Sequence, residues 1–181
     1  KYNVVSPDSI CEEYGADALR LFEMFLGPLE QSKPWNTSGI TGVSSFLKKL
    51  WKLYHSGDES AFVISKDTAT SEELKVLHKT IKKVTSDIQN FSFNTSVSAF
   101  MICVNELSSM NCNNRLILKD LCILLSPFAP HICEELWCKL GNKESISSVN
   151  YPIFNPELIT EKSIEYPVSF NGKLRFKINL E

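Results

Sequence analysis

The chain has 181 residues, 43% of them hydrophobic and 22% charged, with a formal charge of −2; this is the profile of a globular chain long enough to bury a core, not of a disordered one. A charge so near zero excludes a bulk polycation, so any nucleic-acid surface has to be local. No apolar run approaches the roughly 20 residues that span a bilayer, and Lys1-Tyr2-Asn3-Val4-Val5 has no signal-peptide layout.

Ser6-Pro7-Asp8 opens a short helix, with Ser6 as N-cap, Pro7 in the first turn and Asp8 favourable to the helix dipole. Gly15 ends it, and a second helix runs from about Ala16 to Leu26 until Gly27-Pro28 stops it. Residues 29–37 show neither period and read as an ordered connector pinned by Trp35. Ser38 is expected to cap a helix reaching about His55, on which Val43, Phe46, Leu47, Leu50, Trp51 and Tyr54 follow the i, i+3, i+4 rule.

Residues 57–70 read as a surface loop. Thr70 and Glu73 form a capping box for the next helix. Its seam is Leu74, Leu77, Ile81, Val84, Ile88 and Phe91, a near-heptad spacing suited to antiparallel bundle packing. Asn94 is expected to cap a helix through about Met110, and Asn114 one through Leu125. Ser126-Pro127 and Ala129-Pro130 break the chain before a last helix from His131 to Leu140, which Gly141 stops. Four or five long amphipathic helices on short connections make an all-α helical bundle.

The period then changes. Ile164, Tyr166, Val168 and Phe170 alternate, Asn171-Gly172 comes next, and Leu174, Phe176 and Ile178 alternate again, which predicts a β-hairpin on a type I′ turn. A lone hairpin is marginal in water, so the hairpin is expected to open a second, truncated domain. With no initiator Met either, both ends of the chain are expected to lie inside a longer protein.

Chemistry is sparse. There is no Gly-rich phosphate loop, no G-x-S-x-G elbow and no H-E-x-x-H pair. His55, His78 and His131 fall in different elements and read as structural or solvated. Glu12-Glu13 and Glu134-Glu135 are adjacent carboxylates, which on a helix do not face each other. Cys11, Cys103, Cys112, Cys122, Cys133 and Cys138 contain no C-x-x-C pair and no His at zinc-finger spacing. They read as thiols in a reducing cytosol, three of them within apolar helical patterns. In that compartment the sequon matches at Asn36 and Asn94 read as helix-start chemistry. No catalytic residue, metal ligand or cofactor site is expected in this chain.

Basic residues are the remaining candidates. Lys75, Lys79, Lys82 and Lys83 share the face opposite the apolar seam of their helix, where a solvated face is the plainer reading. Lys48 and Lys52 form an i, i+4 pair, and Lys173, Arg175 and Lys177 alternate onto one face of the expected hairpin. Such cations contact phosphates without reading sequence.

Several runs carry a resemblance. Residues 1–8 and the run Tyr14-Gly15-Ala16-Asp17-Ala18-Leu19-Arg20-Leu21-Phe22 resemble the segment just after the lysine-methionine-serine-lysine-serine loop of class I aminoacyl-tRNA synthetases. That run is shared by the leucine, isoleucine, valine and methionine enzymes. Phe25 to Asn36, Gly39-Ile40-Thr41-Gly42-Val43 and Phe46-Leu47 are similar to the bacterial leucyl family in particular. So are Ser126-Pro127-Phe128-Ala129-Pro130-His131-Ile132, Glu134-Glu135-Leu136-Trp137 and Asn171-Gly172-Lys173-Leu174-Arg175, all in the family's order.

The resemblance implies an anticodon-binding-type bundle at 38–150. A connector leaving the catalytic domain would occupy 1–37, and a linker with the start of a C-terminal tRNA-binding domain 151–181. The parent enzyme would activate leucine with ATP and Mg2+ and load tRNA(Leu) in the cytoplasm, free of membrane and of any obligate protein partner. Leucine and ATP would bind upstream, since the signature lysines are absent here. This chain would position tRNA, with Lys48, Lys52, Lys173, Arg175 and Lys177 as contacts. The equivalent domain of a valine, isoleucine or methionine enzyme is the alternative. A helical scaffold binding only proteins would need an exposed apolar patch of a few hundred Å2, whereas bundle packing accounts for each seam.

Overall fold

The computed structural model describes residues 4–56, 61–160, 164–170 and 173–180; of the last two stretches, the side chains of 164–166, 173, 174, 177, 179 and 180 lie outside the description, as does the expected turn at Asn171-Gly172. Helix α1 (Pro7–Tyr14) starts at Ser6, whose Oγ accepts from the Asp8 N–H at 3.3 Å, and ends where Gly15 turns at φ +88°. Helix α2 (Ala16–Phe25) buries Ala18, Leu21 and Phe22. Trp35 pins the connector as its sequence implied: its ring meets Phe22 edge-on at 5.2 Å and its Nε1 donates to Thr37 Oγ1 at 2.8 Å.

Helix α3 (Thr37–Tyr54) begins one residue before the expected cap. Asn36, not Ser38, is the N-cap: its Oδ1 accepts from the Ser38 N–H at 3.1 Å and from the Ser38 hydroxyl at 2.7 Å. Asn and Ser cap about equally well, so the geometry of the preceding turn decides. Gly39 is dictated by packing, because a Cβ there would sit 2.7 Å from the Phe22 ring of α2. Ile40, Val43, Phe46, Leu50, Leu53 and Tyr54 are buried, and the Tyr54 hydroxyl donates to the Leu118 carbonyl at 2.7 Å.

Residues 61–67, expected to lie in a surface loop, are instead tied down by backbone hydrogen bonds. Strands β1 (His55–Ser56) and β2 (Ala61–Phe62) pair antiparallel. The chain then bridges Asn114: the Ser65 N–H donates to the Asn113 carbonyl and the Arg115 N–H to the Ser65 carbonyl, both at 2.8 Å. Helix α4 (Ser71–Gln89) opens on the expected capping box, with the Glu73 N–H donating to Thr70 Oγ1 and the Thr70 N–H to Glu73 Oε2. Its seam buries Leu77, Ile81 and Val84, with Leu74 and Ile88 half-buried. Phe91 does not belong to it. The helix ends at Gln89, and Phe91 stands beyond in the left-handed region at φ +55°, 67% exposed.

Helix α5 (Phe93–Ser109) starts at Ser92, whose side chain makes no cap bond, rather than at Asn94. Helix α6 (Arg115–Leu125) keeps Asn114 as its cap, with Oδ1 accepting from the Leu116 and Ile117 N–H groups. Helix α7 (Pro130–Lys139) comes after the proline break. Apolar side chains from each of the seven helices among the described residues join one core; α1 buries Ile10 and packs Tyr14, half-buried, against it. Residues 146–160 run on through two 3-10 turns and pack Ile146, Val149 and Phe154 against it.

Strands β3 (Ile164–Phe170) and β4 (Lys173–Leu180) form the expected antiparallel hairpin, with Phe170 opposite Lys173. Their register shifts by one between Val168 and Ser169, since Val168 faces Phe176 while Ser169 faces Leu174. Position 175 is thus the extra residue of a bulge.

Candidate nucleic-acid interface

The last two turns of α3 carry the basic side chains. Lys48 and Lys52 are both exposed, one turn apart, as their spacing required. Between them Lys49 reaches α5, donating from Nζ to Asn105 Oδ1 at 2.6 Å. Beyond the helix end lies a groove of about 420 Å3 lined by Lys49, Lys52, His55, Ser108, Asn111 and Asn113. Three amide or hydroxyl side chains and two ammonium groups there offer donors for phosphate and ribose oxygens.

An aromatic pair borders the groove. Trp51 and His55 stack at 4.1 Å and 15°, and the His55 ring Nδ1 donates to the Trp51 carbonyl at 2.9 Å, which keeps the imidazole on the helix end. Lys139 of α7 lies 5.7 Å from the Trp51 ring centroid and pairs with Glu135 at 3.4 Å. Below, Cys112 is buried and its thiol is pushed up to about 12 by that burial, so it carries no reactive thiolate. Burial opposes ionisation of Glu73, but hydrogen bonds from Cys112 and Thr70 outweigh it and hold the carboxyl below its usual range. The same carboxylate therefore caps α4 and ties it to the α5–α6 turn.

The other basic candidates separate. On α4, Lys83 Nζ is 2.5 Å from Asp87 Oδ1 and Lys82 lies over the Phe154 ring at 5.9 Å, so both are engaged within the fold. Lys75 is half-buried and Lys79 exposed. Arg175 is exposed on β4, while the side chains of Lys173 and Lys177 lie outside the described residues. Lys49, Asn111, Asn113 and Lys139 were missed from the sequence. Asn111 at φ +52° and the run Asn111-Cys112-Asn113-Asn114 gave a turn signal, but nothing local placed that turn beside α3. Among the described residues no group of three or more His, Cys, Asp or Glu is arranged to hold a metal ion. All six cysteines are free, and no described helix is long and apolar enough to cross a membrane.

A family model for the anticodon-binding domain of tRNA ligase matches residues 72–181, more than half of the chain. The chain belongs to this anticodon-binding domain family. Relatives of the domain share far more than its bundle. A leucine–tRNA ligase of Flavobacterium psychrophilum is 66% identical over 99% of the chain, and one of Bacteroides thetaiotaomicron is 56% identical over the same share. The chain spans 18% and 19% of the lengths of these two relatives. The ternary complex of Agrobacterium radiobacter K84 agnB2 LeuRS with tRNA and LeuAMS superimposes with a TM-score of 0.75 at 28% identity, covering 98% of this chain and 24% of that one. The superposition therefore extends over α1, α2, the connector and α3, which precede the residues 72–181 that the family model matches.

Proposed function

We propose that this chain is the tRNA-positioning part of a bacterial-type leucine–tRNA ligase, a cytoplasmic enzyme that activates leucine with ATP and Mg2+ and esterifies it to tRNA(Leu). In this reading residues 1–37 lead out of the catalytic domain, 38–150 form the bundle, and 151–181 lead into a C-terminal tRNA-binding domain. The observation that carries it is the 66% identity to a leucine–tRNA ligase over 99% of the chain, which favours the leucine enzyme over its valine, isoleucine and methionine relatives. In this reading leucine, ATP, Mg2+ and the reacting bonds are assigned to the rest of the polypeptide.

Lys48 and Lys52, with the groove at the end of α3, and Arg175 with Lys173 and Lys177 on the hairpin strand are the proposed phosphate contacts. Filter binding of tRNA(Leu) to the 181-residue chain tests this. Affinity should fall steeply with salt, and the pair Lys48→Glu and Lys52→Glu should weaken binding and lower the log–log salt slope by about 1.4 to 1.8. Binding indifferent to salt would place the contact on another surface. The same chain should show no leucine-dependent ATP–pyrophosphate exchange, and measurable exchange would overturn the assignment of the active site elsewhere.

A further inference from the structure

Helix α7 lacks a cap of its own. Its N-cap residue is Ala129, and no side chain at its own start bonds the first N–H groups. The acceptor comes from α2 instead. Asp17 Oδ2 accepts from the Ile132 N–H at 2.7 Å, and Oδ1 accepts from the His131 N–H at 3.3 Å and from the His131 ring Nδ1 at 2.8 Å. Asp17 is buried, and its charge sits where the α7 dipole favours an anion. Three residues further along α2, the Arg20 guanidinium donates to the Pro127 carbonyl at 2.9 Å. One helix thus grips the α6–α7 turn on both sides of Pro130, by its N–H groups on one side and a carbonyl on the other.

Apolar burial of Ala18, Leu21 and Phe22 also holds α2 to the bundle, but such burial is non-directional and leaves a small slide or rotation open. The charge-assisted bonds of Asp17 are directional and fix both. Helix α1 moves with α2, since it buries only Ile10 and joins α2 directly through Gly15.

We propose that Asp17, seconded by Arg20, is a positioning residue that sets the register between the N-terminal helices and the bundle. In the whole ligase it would hold the tRNA-bearing bundle where the tRNA end meets the activated leucine. This rests on the function proposed above. A displacement on the order of 1 Å far from the chemistry can cost about 100-fold in rate, so the clamp acts on the transfer step rather than on leucine activation.

The test uses the full-length ligase with Asp17→Asn, which replaces one acceptor oxygen by an amide that cannot accept from a backbone N–H. Three quantities are measured: leucine-dependent ATP–pyrophosphate exchange, the dissociation constant for tRNA(Leu), and the single-turnover rate of aminoacyl transfer. Exchange and tRNA affinity should stay at wild-type values while transfer slows by about 10- to 100-fold. Arg20→Gln, at an exposed position, should slow transfer in the same direction by less, and it decides the matter alone if Asp17→Asn fails to fold. Wild-type transfer in the variants overturns the proposal. So does a parallel fall of all three quantities together with the melting temperature, which is the signature of a purely structural cap. A wild-type ligase that neither supports leucine-dependent exchange nor charges tRNA(Leu) would defeat the proposed function instead, whatever Asp17 does.

Discussion

The bundle and the terminal hairpin carry equally plain amphipathic patterns, and among the described side chains only the bundle hides its large apolar ones. Phe100, Leu107, Leu121 and Leu124 are fully buried among helices, whereas Phe170 and Phe176 keep 61% and 53% of their surface exposed. The difference teaches what a periodic pattern does by itself. It selects helix or strand, but stability needs a second layer to cover the apolar face, and two strands supply only one. The bundle should therefore carry the stability of the chain, and the hairpin almost none.

The largest effect should come from Phe100→Ala on α5. Its ring is wholly buried and meets Phe128 edge-on at 5.2 Å. Truncation loses the transfer energy of the ring and leaves a cavity, for a cost of about 3 to 5 kcal/mol, read as a fall in urea or thermal unfolding stability. A loss under about 1 kcal/mol would mean that this core yields as readily as a surface, and the contrast with the hairpin would disappear.

Local chemistry was legible where one segment decides it. The capping box at Thr70 and Glu73, the Asn114 cap, the Gly15 stop and the Trp35 connector all lie within a few residues of the elements they organise. The misplaced start of α3 is of the same kind, since Asn36 competes with Ser38 on nearly equal capping energies, whereas α5 starts at Ser92 with no side-chain cap at all. Phe91 fitted the helical period, but the turn into α5 ended the helix before it. Non-local features left no such trace. Asp17 caps a helix 114 residues downstream, and the strap at residues 63–67 owes its order to the Asn113 and Arg115 backbone. Of the candidate interface, the α3 lysines were visible by spacing, but the groove beside them needed the α5–α6 turn brought alongside.

A smaller effect should appear where residues 151–160 fold back onto α4. The Asn155 N–H donates to His78 Nδ1 at 3.2 Å, with the ring against Phe154. That bond requires a ring unprotonated at Nδ1. Burial holds the His78 pKa below its ordinary value, against the attraction of Asp120 on α6. With the folded pKa depressed, this stability is fully present above about pH 6.5 and is lost as the pH falls through the folded value. Between pH 7.5 and 5.5 the wild type should lose stability that His78→Gln, which keeps an acceptor, does not. The difference should be about 1 kcal/mol at most, the worth of one hydrogen bond. Equal slopes for the two proteins would show that protonation does not reach this bond.

The smallest effect should come from Phe176→Ser on β4, and its smallness is the informative part. A Phe buried among helices loses ring contacts on every side when it is shortened, whereas Phe176 already has more than half of its surface in water. Position 176 pairs with Val168 beside the bulge at 175, so register there is held by backbone pairing rather than by a packed face. Global unfolding should therefore move by about 0.5 kcal/mol or less, roughly 1 to 2 °C for a chain of this size. A shift several times larger would mean that the hairpin is bonded into the core after all. It would then be a structural part of the bundle, and the proposed phosphate contact at Arg175 would be fixed to that bundle rather than carried on a separate element.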